Sequence, residues 1–257
     1  MATRLPILTF HSIDDTGTVV SFPRELLQHG LGRLQASGHV SIALSQASAN
    51  IRRGDPFPDR SFVITFDDGY RSVFEEAFPI LQQFGMTAMV FLTVGKLGER
   101  KMSGRIPSLF GRAMLSWNEV RTMHAAGIDF GAHTLTHPNL TRISHAAMRF
   151  EIHECKAVIE DELGAAVDSF AYPYGCCNAR VKQVVQEFFG CGCTDELGLV
   201  HMARDLDPYA LPRIDGYFLR GRRLFDLMVT GAFPLYLKSC RLIRASRRAL
   251  TQPCRGI

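Results

Sequence analysis

The chain has 257 residues, 46% of them hydrophobic and 21% charged, with 22 glycines and 12 prolines, which excludes a disordered, fibrous or mini-protein design. A core of this size needs neither disulfide nor metal simply to fold, so any metal implied by the sequence has a chemical task. The formal net charge is only +4, yet residues 212–257 alone carry +8, so the basicity is local and does not mark the whole chain as a nucleic-acid binder.

Short apolar runs rich in β-branched and aromatic residues alternate with segments of helical period, which predicts an α/β protein. In chain order the strand candidates are Pro6–His11, Phe62–Asp67, Thr87–Thr93, Ile128–His133, Val167–Tyr172 and Gly190–Thr194. Several are apolar nearly throughout, as strands buried on both faces are in a parallel sheet or barrel. Helices are predicted over Pro23–Gln35, Tyr70–Phe84, Trp117–Ala126, Ser144–Leu163 and Asn178–Phe188. In the second of these Phe74, Phe78, Leu81 and Phe84 form a core stripe. Lys96–Arg112 reads as a long loop. No run reaches the roughly 18 apolar residues of a membrane span. The seven cysteines show no C-x-x-C spacing and predict no disulfide framework. With no secretory signal pattern in MATRLPILTF, a reducing cytoplasm is the expected compartment.

Unusual polar residues fall at the ends of the predicted strands: His11, Asp67 with Asp68, His133, and the turn Tyr172–Gly175. In a parallel barrel all strand C-termini open on one face, where such folds build active sites. Asp67 and Asp68 stand side by side where a buried strand breaks at a glycine, so one can ligate a metal while the other stays free as a general base. His133 and His137, four residues apart, would share one face of a helical turn and with one carboxylate would make a two-His-one-carboxylate set. Backbone amides of the Tyr172-Pro-Tyr-Gly175 turn are candidate oxyanion donors.

Taken in order, Thr65-Phe-Asp-Asp-Gly69, His133-Thr-Leu-Thr-His137-Pro138 and Ala171-Tyr-Pro-Tyr-Gly175 resemble the first three motifs of the polysaccharide deacetylase family, also called NodB-homology or carbohydrate esterase family four. The likeness runs from about His11 to Gly216. It implies a distorted (β/α)7-type barrel over residues 1–220 and hydrolysis of N-acetyl groups from N-acetylhexosamine units of a polysaccharide, oligosaccharide or lipid-linked precursor. By the same resemblance Asp68, His133 and His137 would hold a divalent metal, zinc foremost, with cobalt, nickel, manganese or iron as alternatives. Asp67 would deprotonate water, and the Tyr174 N–H would stabilise the oxyanion.

Two departures matter. Many relatives begin the third motif with an arginine that pairs with the catalytic aspartate, whereas this chain has Ala171 there, and Arg213 in Leu211-Pro-Arg-Ile214 is the expected substitute. The general acid, a histidine in a C-terminal Leu-x-x-His in many relatives, is expected to be His11 in Leu8-Thr-Phe-His11, as in the circularly permuted subgroup, rather than His201. Residues 221–257 resemble nothing in the family. There Tyr236, Cys240, Ile243 and Leu250 can share one side of a helix beside Arg241, Arg244 and Arg248. This helical extension either packs on the barrel or, through 235–257, docks on anionic membrane. A catalytically impaired carbohydrate-binding barrel, a non-haem iron oxygenase and a nucleic-acid binder are the competing classes; the last lacks aromatic interleaving.

Overall fold

In a computed structural model, residues 2–97, 112–202 and 206–241 are described. Seven strands form the frame: β1 (Ile7–Phe10), β2 (Ser61–Phe66), β3 (Met89–Leu92), β4 (Asp129–Ala132), β5 (Ser169–Ala171), β6 (Cys191–Leu197) and β7 (Leu211–Asp215). Each pairs in parallel with its sequence neighbour, and β7 and β2 both pair with β1, which closes the sheet into a barrel. A two-residue strand, Val40–Ser41, adds to the outside of β2.

Period-two alternation divides the strands between two cores. Ile7, Val63, Phe91, Ala171, Cys193 and Leu211 pack together in the barrel interior. Their neighbours Leu8, Phe10, Ile64, Phe66, Val90 and Ile214 face outward into a cluster shared with the helices. The interior turns polar toward the C-terminal ends of the strands: the series Ile7, Thr9, His11 and Val63, Thr65, Asp67 lie along one direction, with Thr9 and Thr65 hydrogen-bonded at 2.9 Å. Gly131 of β4 is required by packing, since a Cβ there would lie 2.6 Å from the Phe91 ring.

The helices are α1 (Arg24–Ala36), α2 (Leu44–Arg53), α3 (Phe78–Phe84), α4 (Trp117–Ala125), α5 (His145–Leu163), α6 (Ala179–Phe188) and α7 (Arg222–Thr230). Ser116 and Glu119 close α4 with a capping box, and the side chains of Ser144 and Asn178 cap α5 and α6. The predicted helix over Tyr70–Phe84 is shorter and compound: a π-turn at Val73–Ala77 runs into α3, which carries Pro79 in its first turn. Within its stripe Phe78 and Leu81 are buried, while Phe74 and Phe84 are partly so. Strand β7 and helix α2 are additions to the expected elements. Pro212 lies inside β7, opposite a register irregularity of β6 between Cys193 and Leu197, where a residue without an N–H is tolerated.

Helix α7 packs on α1 through Phe225, which is fully buried and seated on Gly30; a Cβ at Gly30 would meet its ring at 2.4 Å. Overpacking there costs about 1–3 kcal/mol against about 1 kcal/mol gained in helix propensity. Gly30→Ala is therefore expected to lower the melting temperature, and Phe225→Leu in the same chain to restore most of the loss; equal stability of Gly30→Ala and the parent would contradict this packing. Beyond α7 a further helix occupies 233–241 with Phe233, Leu237 and Cys240 buried in the cluster between barrel and helices and Leu235, Lys238 and Arg241 outward. Of the expected apolar side of this segment, Cys240 is buried and Tyr236 partly buried against the protein. Ile243, Arg244, Arg248 and Leu250 lie outside the described residues, as does most of the loop expected over Lys96–Arg112. Among the described residues no helix is long and apolar enough to cross a membrane. Cys155, Cys177, Cys191, Cys193 and Cys240 are free thiols. Cys176 is disulfide-bonded.

Candidate active site

The C-terminal ends of the strands enclose a cleft of about 260 Å³ whose lining includes His11, Asp67, Asp68, His133, His137, Tyr174 and Arg213. All seven residues singled out from the sequence thus meet in one place. Backbone strain gathers there too: of the five described non-glycine residues with left-handed φ, four are Asp68, Thr134, His137 and Tyr174.

Asp67 continues the line of β2, whereas Asp68 (φ 74°) and Gly69 (φ 83°) turn the chain sharply, so the two carboxylates part company. His133 leaves β4 directly. His137 reaches the same spot through a turn with left-handed Thr134 and His137, not the helical turn that the spacing suggested. The Thr134 hydroxyl accepts from the His137 N–H at 3.0 Å, and Glu151 of α5 accepts from the Thr136 N–H at 2.8 Å.

Asp68 Oδ1 stands 3.4 Å from His133 Nε2 and 3.3 Å from His137 Nε2, and the two nitrogens are 3.1 Å apart. Three donors at tetrahedral angles and bonds of about 2.0–2.1 Å to one ion would be separated by about 3.3 Å, so this triangle fits a divalent metal. The chemistry of the donors agrees. His133 Nδ1 donates to the Ala171 carbonyl at 2.8 Å, which orients the ring so that Nε2 faces the other two donors. Burial pushes the Asp68 carboxyl pKa up, but hydrogen bonding to the two imidazoles outweighs it and holds the group well below the usual carboxylate range. Among the described residues this is the one such cluster of His, Cys, Asp and Glu.

Asp67 is nearly fully buried and gripped by Arg213 of β7 in a two-point ion pair, Nη1 to Oδ1 at 2.8 Å and Nη2 to Oδ2 at 2.7 Å. Arg213 is locked in turn by its Nε bond to the Thr194 carbonyl at 2.9 Å and by its guanidinium over Phe91. Burial raises the Asp67 pKa, and the charge and hydrogen bonds of Arg213 more than reverse that, leaving the carboxyl below its ordinary value. The arginine missing at Ala171 is thus supplied from β7, two strands away.

Tyr174 (φ 59°) bends the Pro173–Gly175 turn over the cleft, its ring edge-on to His137 at 4.6 Å. Gly175 allows this, because a Cβ there would fall 2.2 Å from Asp195. His11, half-buried, follows β1 into the cleft. His201 does not line it: it is exposed, paired with Arg4 in a small antiparallel ladder. Asp195 and Asp215 also border the cleft and were not singled out from the sequence. Their signal is alternation, two residues beyond Cys193 and Arg213 on the inward face, but β6 runs past the expected end at Thr194 and β7 carries no apolar run that announces it.

The polysaccharide deacetylase family profile matches residues 54–189, just over half of the chain. The chain is 25% identical over 239 residues to the putative polysaccharide deacetylase YxkH of Bacillus subtilis, spanning 93% of this chain and 77% of that one. It is 28% identical over 140 residues to the poly-β-1,6-N-acetyl-D-glucosamine N-deacetylase of Staphylococcus aureus, spanning 51% of this chain and 46% of that protein. Among solved structures, IcaB from Ammonifex degensii superposes with a TM-score of 0.75 at 20% identity, over 90% of this chain and 98% of that one, a likeness of fold. From the barrel, the three motifs converging on one cleft and the profile match, the chain belongs to the polysaccharide deacetylase family.

Proposed function

We propose that the protein is a metal-dependent hydrolase that removes N-acetyl groups from N-acetylhexosamine units. The observation that carries this reading is the Asp68–His133–His137 donor triangle beside an Asp67 held by Arg213. Asp68, His133 and His137 would hold a divalent ion, zinc foremost, which would supply Lewis-acid polarisation of the amide carbonyl and acidify a bound water. Asp67 on its own is a weak base, because Arg213 lowers its pKa; the same pairing keeps its carboxylate ionised and fixed in direction, placed to accept a proton from the attacking water. The Tyr174 N–H, set by the left-handed turn, donates to the oxygen that gains charge as the carbonyl carbon becomes tetrahedral. His11, on the cleft wall, gives a proton to the leaving amine.

Hexosamine as the substrate class is supported by the names of the relatives, poly-β-1,6-N-acetyl-D-glucosamine N-deacetylases, of which this chain spans less than half. The presence of Arg213 on Asp67 supports turnover over the binding-only alternative that Ala171 had kept open. The test is acetate release from a panel of N-acetylhexosamine oligomers and lipid-linked sugars, before and after chelation and with zinc restored. Release that chelation stops and zinc restores is expected; chelator-insensitive release, or none from any member by zinc-loaded protein, would overturn the reading.

A further inference from the structure

Immediately after His11 the chain makes an excursion, residues 12–22, that forms one wall of the cleft, and five of its polar side chains converge on one cation. Arg112 Nη1 donates to Ser12 Oγ at 2.7 Å and to the Asp14 carboxylate. Its Nη2 donates to Thr16 Oγ1 at 2.7 Å, Thr18 Oγ1 at 2.9 Å and Ser21 Oγ at 2.8 Å. From the other side, Arg220 Nη2 donates to the carbonyls of Val19 at 3.2 Å, Ser21 at 2.6 Å and Thr18. Backbone bonds from the Ser12 N–H to the Val20 carbonyl and from the Asp14 N–H to the Phe22 carbonyl, both 3.0 Å, close the excursion on itself.

The apolar residues this wall offers are Val19 and Val20. Val20 packs on Tyr70 and Met114, which ties the wall to the segment just past Asp68. Val19 lines the cleft yet is 66% exposed. A single exposed valine needs no explanation by itself. This one, however, belongs to a wall held by two arginines at the mouth of the cleft, across from the carboxylates, imidazoles and guanidinium and alongside the rings of Tyr172 and Tyr174. Ligand clefts combine a few directed polar groups with apolar surface, and a hexosamine ring has an apolar C–H face to place on it.

We propose that Val19 is a specificity-determining contact for the C–H face of the hexosamine ring, and that Arg112 and Arg220 are positioning residues that hold the 12–22 wall against the cleft. This rests on the deacetylase reading for the identity of the ligand. The holding role needs the planar fork of arginine, since one ammonium cannot reach acceptors spread over both terminal nitrogens.

The experiment uses the full-length, zinc-loaded Asp67→Asn protein, so that binding is read without turnover, with an N-acetylglucosamine oligomer as the calorimetric probe. Val19→Asp in this background is expected to weaken binding about tenfold or more. Arg112→Met is expected to weaken it similarly and to speed amide hydrogen exchange across residues 12–22 while exchange in the barrel strands is unchanged; Arg112→Lys, the milder variant, is expected to leave that exchange fast. Equal affinity in Val19→Asp, unchanged exchange in Arg112→Met, or no binding of the oligomer by the parent would overturn the proposal. Acetate release by the wild-type protein is scored separately and decides the deacetylase reading alone.

Discussion

Replacing Arg213 with methionine is expected to destabilise the fold by about 3–5 kcal/mol, the cost of stripping one partner from a buried ion pair and leaving the other charge in place. The size follows from burial: both side chains are only 4% exposed, and Arg213 is the two-point partner of Asp67. Methionine fills much of the same volume, so lost packing adds little. The sign with pH is also fixed. Since the folded Asp67 pKa lies below its unfolded value, the pair contributes its full stability above the unfolded carboxylate pKa of about 4 and loses it as pH falls through the folded value. Chemical denaturation of the two proteins should therefore show a wide gap at pH 7 that narrows toward pH 3. A gap below 1 kcal/mol at pH 7 would mean that Asp67 finds another partner or stays neutral.

Asp67→Asn is expected to lower kcat by about 10²–10⁴, the usual contribution of a positioned general base, while leaving bound metal at the wild-type level. The separation is geometric: the donor triangle consists of Asp68, His133 and His137, and Asp67 points instead to Arg213. Steady-state rates and metal content measured on the same preparation check both halves. Full turnover would remove Asp67 from the proton transfer, and loss of metal would make it a ligand. Some loss of stability accompanies this variant, because Asn leaves the Arg213 charge partly unpaired, so rates are to be compared well below both melting temperatures.

The parts of this architecture that the sequence announces are those written in side chains with a period. β1, β2 and β4 are largely apolar runs followed at once by a polar residue, and that ending is both the strand boundary and the site, which is why His11, Asp67, Asp68 and His133 are legible together. β7 was not, because Leu211-Pro-Arg-Ile-Asp215 holds a proline and two charges in five residues, and only barrel closure explains why Arg213 is driven inward. α2 was missed for want of a start signal: Ala43 caps it without a side-chain bond, and the segment is small and polar. The left-handed turn joining His133 to His137 replaced an expected helical one because the chain must double back from β4 to bring both imidazoles to Asp68. The bond from His133 to the Ala171 carbonyl carries no signal at all, since any residue at 171 offers the same carbonyl. The binding of residues 12–22 to Arg112, 91 or more positions away, is likewise beyond local reading.

The central claim, that Asp68, His133 and His137 hold a metal on which deacetylation depends, is tested most directly by measuring zinc stoichiometry and acetate release on wild type and Asp68→Ala in parallel. One tightly bound zinc with release in the wild type, and loss of both in the variant while the fold is retained by circular dichroism, is the predicted result. Wild-type acetate release in Asp68→Ala would contradict the account at its foundation.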